Sequence, residues 1–269
     1  MRRLICTLTA LPLVLGLGWL VGCGEGEAWR RTELADSAEA YNTFMEEYPD
    51  SLHVAEAIKR IEEQDYVRAT ELGSATAYLD YLERHPEGSN SDAARTNHAR
   101  LLFEEGKEEC DAAKMQQYVD LYPEGASHMD ARHYQRVFAY SENIEVNDLT
   151  SRKVNLQGKP DGELDGWGIY ANITNNGDKN LTTCQIRIEW LSEADVVLLK
   201  RLWYVATPPL DMYPTAEWMQ VSMKPGETRP LEYEFGRSVK PDYWEDKVRL
   251  RIHDLRFEGE KADVAVELK

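Results

Sequence analysis

Histidine and cysteine, the side chains that most often hold metals or act as nucleophiles, are scarce here, with six and four among 269 residues. There is no Gly-rich phosphate loop, no nucleophile elbow and no H-E-x-x-H helix. His128 and His133 lie five residues apart, off the three- or four-residue spacing that places two ligands on one helical face. The stretch "DGELDG" at 161–166 lacks the alternating oxygen ligands and closing glutamate of a calcium loop, and reads as a surface turn. Carboxylates abound, but no pair is set apart by surroundings that would shift its pKa, as glycoside hydrolysis needs. Basic residues are the minority, 31 against 48 acidic for a net charge of −17, which disfavours nucleic acid and anionic lipid headgroups as partners. These absences leave no catalytic, cofactor-binding or metal-binding residue to name, and the expectation is a protein that is not an enzyme.

Long apolar runs are also missing, with one exception at the start. Residues 4–22 are apolar or small apart from Thr7 and Thr9, and Arg2 and Arg3 precede them, the layout of a secretory signal. Pro12 and four glycines between Gly16 and Gly24 make this run a poor membrane-spanning helix. Leu20-Val21-Gly22-Cys23, ahead of a polar stretch, resembles the lipobox of bacterial lipoproteins. The resemblance implies that residues 1–22 are removed, that the Cys23 thiol takes a diacylglyceryl group, and that the new amino terminus is acylated, for example with palmitate. Each buried methylene contributes about 0.8 kcal/mol, so two or three chains anchor stably where one does not. Gly24 stands where the family places an aspartate for inner-membrane retention, which implies the periplasmic face of the outer membrane. Residues 23–30 then form a lipidated tether. Without residues 1–22 the chain keeps 29 basic and 48 acidic residues, and Cys110 and Cys184 besides the lipidated one. We expect both to be unpaired and buried, with a disulfide between them as the alternative.

Between residues 31 and 140 the chain repeats itself. The stretches "AYNTFMEEYPDS", "AYLDYLERHPEGS" and "MQQYVDLYPEGAS" place Pro49, Pro86 and Pro123 at intervals of 37 residues. Eight, five and four residues before each proline stand Tyr41, Phe44 and Met45, then Tyr78, Tyr81 and Leu82, then Met115, Tyr118 and Val119, one helical face apiece. Proline ends each helix, Gly88 and Gly125 suit the turns, and a second helix follows. Its inner face would carry Ala55, Ala57, Ile58 and Ile61, then Ala93, Ala94 and Leu101, then Ala131, Tyr134 and Val137. Asp36 with Glu39 makes a capping-box-like start, and Ser51, Ser74, Ser91 and Ser127 are candidate caps. A fixed period of this size marks stacked helical hairpins. The pattern resembles tetratricopeptide-type repeats of exported bacterial proteins, which implies a groove that receives a peptide or a partner helix. Residues 24–140 hold 25 acidic and 12 basic side chains, pointing to a basic or amphipathic partner or simply to a solvated acidic surface.

From residue 143 alternation takes over. Trp167, Ile169, Ala171 and Ile173 share one face, and "NNGDKN" at 175–180 supplies turn residues that tolerate positive φ. Cys184, Ile186, Ile188 and Trp190 again show period two. Further strands are expected at 196–205, 217–223, 230–235 and 247–257, together an antiparallel β-sandwich over residues 143–258 with a tail at 259–269. "GIYANITNNGDKNL" and "MKPGETRPLEYEF" resemble the immunoglobulin-like modules of the FxLYD family. His253 is expected to face solvent on its strand. The loop 205–218, with Trp203 and Trp218 near its ends, is either a connection between sheets or a binding loop for peptide or glycan.

The resulting expectation is a multidomain chain, a helical hairpin array followed by an antiparallel β-sandwich, tethered to the envelope through Cys23. Its function would be that of a scaffold or adaptor for envelope proteins, with no nucleic acid partner. Binding of cell-wall or surface glycan by the sandwich is the second reading, and a hydrolase with an unrecognised site the third.

Overall fold

The computed structural model describes residues 19–156, 164–208 and 216–260, with side chains from residue 24 onward. Among the described residues seven helices come first and two three-stranded antiparallel sheets follow. No helix among them is long and apolar enough to cross a membrane. The chain divides into two compact units, one ending at His98 and one beginning at Ala99.

The helices alternate long and short: α1 (Trp19–Ala35), α2 (Ala38–Glu47), α3 (Val54–Leu72), α4 (Ala75–Arg84), α5 (Ser91–Glu109), α6 (Ala112–Leu121) and α7 (His128–Tyr140). The three short helices are ten residues each and begin 37 residues apart. The residues that follow them, Tyr48, His85 and Tyr122, share one conformation, with φ/ψ of −131/62°, −130/61° and −129/62°. Proline comes next in all three, which bars the α region to the residue before it and brings no N–H to extend the helix. The turns that join long to short helices recur equally, with positive φ at Asp36 (40°), Gly73 (57°) and Cys110 (55°). Left-handed closure of a helix suits glycine, and only Gly73 adopts it without a Cβ penalty.

Ser74 caps its helix as the sequence suggests, and the other caps depart from that expectation. Ser37, not Asp36, caps α2, accepting from the Ala40 N–H at 3.2 Å, while the left-handed Asp36 accepts from the Tyr41 hydroxyl at 2.8 Å. Ser74 caps α4 in the same way as Ser37 caps α2, and Asp111 caps α6 by accepting from the amides of both Ala113 and Lys114. Ser51 instead accepts from the His53 amide one turn early, Ser91 donates to the His85 carbonyl, and Ser127 makes no side-chain cap bond.

In the first unit the expected aromatic face is core. Tyr41 and Phe44 are buried with Trp29 of α1, the Trp29 and Phe44 rings 5.0 Å apart. Residues 23–30, expected as a tether, are therefore helical and contribute Trp29 to the hairpin core. Tyr78 and Tyr81 are buried beside Tyr66 of α3, and Ala57 is fully buried. Ile58 was expected beside Ala57 on the inner face but is 52% exposed, because Ala57 and Ile61 already fill the contact side.

In the second unit Met115 and Tyr118 of α6 and Ala131 and Val137 of α7 are buried, with Phe103 of α5 against Tyr118. The strands are β1 (Ile144–Val154), β2 (Gly166–Asn175), β3 (Leu181–Leu191), β4 (Val197–Ala206), β5 (Thr228–Gly236) and β6 (Val248–Phe257). One sheet has the order β1-β2-β5 and the other β4-β3-β6. Ile169, Ile173, Leu231 and Phe235 of the first, and Cys184, Ile186, Ile188 and Trp190 of the second, are buried. The Trp190 ring lies 5.4 Å from Phe235 and 5.7 Å from Tyr233, so side chains of the two sheets meet.

One local expectation fails. Residues 217–223 are not a strand: Glu217–Gln220 make a 3-10 turn that buries Met219 and leaves Val221 58% exposed, and only Met223 bridges to Leu181. The β2–β3 turn does not use positive φ at any residue from 175 to 180. Gly177 is required there for space, since a Cβ would overlap the Tyr140 ring.

Candidate functional site

The Cys23 side chain, the one site residue named from the sequence, lies outside the described residues, as do 157–163 of the acidic turn region and 209–215 of the long loop. At the ends of that loop Trp203 packs edge-on to Tyr233 at 5.2 Å, and Trp218 is 44% exposed. Cys110 and Cys184 are both free thiols. Cys184 is fully buried on the inner face of β3, and burial pushes its thiol up to about 12, which makes it an inert core residue. Among the described residues no group of three potential ligands could hold a metal ion.

Two grooves open in the first unit, each between a long helix and the short helix after it. One, of about 420 Å³, is lined by Ala28, Arg31 and Thr32 of α1 and Ala40, Thr43 and Glu47 of α2. The other, of about 370 Å³, is lined by Asp65, Arg68 and Ala69 of α3 and Ala77, Asp80 and Arg84 of α4. These six pairs correspond at a 37-residue offset, whereas Ser37, Glu39 and Phe44 line only the first groove and Leu72 and Glu83 only the second. Small residues form the floors and let the helices approach closely, while charged residues stand at the rims. Asp65, by contrast, is buried, held by Arg84 at 2.7 Å and His85 at 2.8 Å. In the second unit Lys114, 37 positions after Ala77, reaches across from α6 to Glu105 at 3.2 Å and Glu109 at 2.9 Å. Desolvation works against the Lys114 ammonium, but the hydrogen bonds to Glu109 and Glu105 outweigh it and its pKa rises.

The second unit also holds a buried ionic cluster that the sequence reading missed. On the outer face of β4-β3-β6 the register aligns Lys200, Glu189 and Arg249 in one row and Leu202, Arg187 and Arg251 in the next. Glu189 is 1% exposed and accepts from Arg249 at 2.6 Å and Arg251 at 3.4 Å, with Arg187 at 2.8 Å from its other oxygen. Burial alone would raise the Glu189 pKa, yet the Arg249 hydrogen bond and the charges of Arg187, Arg249 and Arg251 bring it below the usual range. Arg251 donates to the Glu109 carbonyl at 3.0 Å and Arg187 to the Glu108 carbonyl. Two guanidinium groups thus satisfy the last carbonyls of α5, where the helix dipole is negative. The Glu108 carboxylate contacts Lys200 and lies 3.6 Å from Arg187. The signal available in the sequence was the outward-facing triplet Gln185, Arg187, Glu189 opposite Arg249 and Arg251, charged residues of opposite sign on facing strands.

His253 is next to this cluster and corrects the expectation of a solvent-facing side chain. The β3–β6 pairing shifts between Gln185 and Ile186, which pair with Asp254 and Ile252, and leaves His253 as the extra residue of a bulge. Its ring is pushed down to about 4, first by burial and then by the charges of Arg187 and Lys107. The bulge also turns Asp254 toward α7, where it contacts the His133 ring nitrogen at 2.6 Å.

No family model matches this chain, and neither does any curated protein. A solved structure similar to it is the Pseudomonas fluorescens alkylpurine DNA glycosylase AlkC bound to DNA containing an abasic site analog, at 10% identity and a TM-score of 0.27. The similarity covers 66% of this chain and 48% of that one, so this chain spans about half the length of that protein. That neighbour is an enzyme, and the expectation that this chain is not one is not carried forward. A TM-score of 0.27 carries no argument for any activity either.

Proposed function

We propose that this chain is a lipid-anchored envelope protein that acts as a scaffold or adaptor, receiving segments of other envelope proteins in the grooves of tetratricopeptide-like hairpins. The two sheets are read as an FxLYD-like β-sandwich over residues 143–258, and the anchor as acyl chains on Cys23 at the periplasmic face of the outer membrane. The observation that supports this reading is the recurrence of a groove at a 37-residue offset, with closely matched caps and turn conformations. Repeated hairpins with open grooves suit an extended protein segment better than a compact small molecule.

A photo-reactive residue placed at Thr43 or Asp80 in the full chain is expected to cross-link one and the same envelope protein in living cells, while one at Glu232 on β5 does not. Labelled palmitate incorporation, lost in Cys23→Ser, checks the anchor. Cross-links from Glu232 but not from the grooves would overturn the adaptor reading. The 44% exposure of Trp218 supports the second reading, glycan binding by the sheets, which predicts retention on cell-wall material that Trp218→Ala abolishes.

A further inference from the structure

The chain is strongly acidic, yet the outer face of β4-β3-β6 collects Arg187, Lys200, Arg249 and Arg251 around a single buried carboxylate, Glu189. Three guanidinium groups share that one anion, so two positive charges remain even before Lys200 is counted. Arg187 and Arg251 have a structural task at the end of α5. Arg249 and Lys200 have none there, and their side chains are 38% and 39% exposed. In the structure the surplus is met by Glu108, whose carboxylate lies against Lys200 and Arg187 although its own side chain is 54% exposed. An exposed carboxylate on the last turn of a helix gains little from such a pair and is readily exchanged for another of the same kind. Its placement by the helix C-terminus is also the unfavourable one for an acid.

We propose that this basic row is a docking site for an acidic peptide segment, and that Glu108 occupies the site in its absence. Facing positions on neighbouring strands lie about 5 Å apart and next-but-one residues along a strand about 7 Å, so an extended segment with carboxylates on alternate residues matches Arg249 and Arg251. Guanidinium groups on a fixed strand present paired N–H donors that suit a carboxylate. The exposed Leu202 in the second row adds an apolar contact beside the charges. The site is separate from the grooves of the helical hairpins and stands whether or not these receive a partner.

The test is fluorescence anisotropy of the full chain in neutral detergent, with a labelled peptide of alternating Glu and Ser as the probe and its Gln-Ser counterpart as control. The expected result is saturable binding of the Glu peptide alone, weakened at least tenfold in Arg249→Gln and Lys200→Gln and falling steeply with salt. Glu108→Gln is expected to tighten binding several-fold, an effect that a purely structural role for these residues would not produce. Circular dichroism melts accompany each variant, so that loss of binding is scored only where the fold is kept. Equal binding by wild type and Glu108→Gln, or none by either at low salt, overturns the proposal. So does binding confined to phosphatidylglycerol vesicles, which would make the row a lipid contact.

Discussion

Glu189 offers the sharpest test of how the second unit is held together. Replacing it by glutamine keeps the volume but removes the carboxylate shared by Arg187, Arg249 and Arg251. Arg187 has 5% of its side chain exposed and cannot turn to water, so its charge stays buried with only the half-exposed Glu108 carboxylate, 3.6 Å away, to offset it. Breaking a buried pair from one side in this way costs about 3–5 kcal/mol. In a unit of this size each kcal/mol moves the midpoint by about 2–4 °C, so a fall on the order of 10 °C is expected. The pH dependence gives an independent sign. The folded pKa of Glu189 is lowered, so its contribution is fully present above the unfolded value of 4.5 and is lost as pH falls through the folded value. Wild type should lose stability below about pH 4.5 more steeply than Glu189→Gln. Denaturant melts by tryptophan fluorescence at pH 7 and pH 4 measure both effects. A Glu189→Gln variant within about 1 kcal/mol of wild type at pH 7 would show that the cluster is solvated and that its geometry does not hold the sheet to α5.

The caps and thiols give two further expectations. Ser37→Ala and Ser74→Ala should each cost about 1 kcal/mol, since each serine accepts an otherwise unpaired amide, whereas Ser127→Ala should leave the melting midpoint within experimental error because that serine makes no cap bond. Alkylation mapped by mass spectrometry should modify the half-buried Cys110 in the native protein and Cys184 only after denaturation, because the Cys184 thiol is fully buried and pushed up to about 12.

Much of the helical half was legible because its period is written in residues with strong local consequences. Pro49, Pro86 and Pro123 fix the conformation of the residue before them, and the three short helices end where these prolines require. The aromatic faces were legible for the same reason that they are buried, a helix needing large apolar groups on one side. The cap of α2 slipped by one because Asp36 and Ser37 are both good caps by type, and the choice depends on which of them takes positive φ. Strands β2, β3, β4, β5 and β6 were found by alternation, but β1 was not singled out. It is an edge strand with few buried positions, so burial does not impose period two on it. The bulge at His253 was unreadable because the register of β6 is set by pairing with β3, not by its own residue order. The ionic cluster stayed hidden for a related reason: Arg249 and Arg251 lie 60 and 62 residues after Glu189 along the chain, and only the β3–β6 register makes them its neighbours.

The same 37-residue rule explains where the helices stop. Trp29, Tyr66, Phe103 and Tyr140 occupy the same position in successive long helices, and all four are aromatic. The first three face the short helix that follows: Trp29 meets Phe44, Tyr66 meets Tyr81, and Phe103 meets Tyr118. Tyr140 is the last residue of α7 and is followed by one 3-10 turn, Ser141–Asn143, instead of a ten-residue helix. Its ring packs edge-on against Phe257 of β6 at 4.9 Å, and its hydroxyl donates to Asn175 at 3.1 Å and accepts from the Lys179 amide at 3.0 Å. The β2–β3 turn therefore stands where a fourth short helix would, and Gly177 leaves the room for the ring. An array of hairpins must cover the apolar face of its final member. Here that face is covered by the sheets themselves, so α7 belongs to the repeat by sequence and to the β-rich unit by packing.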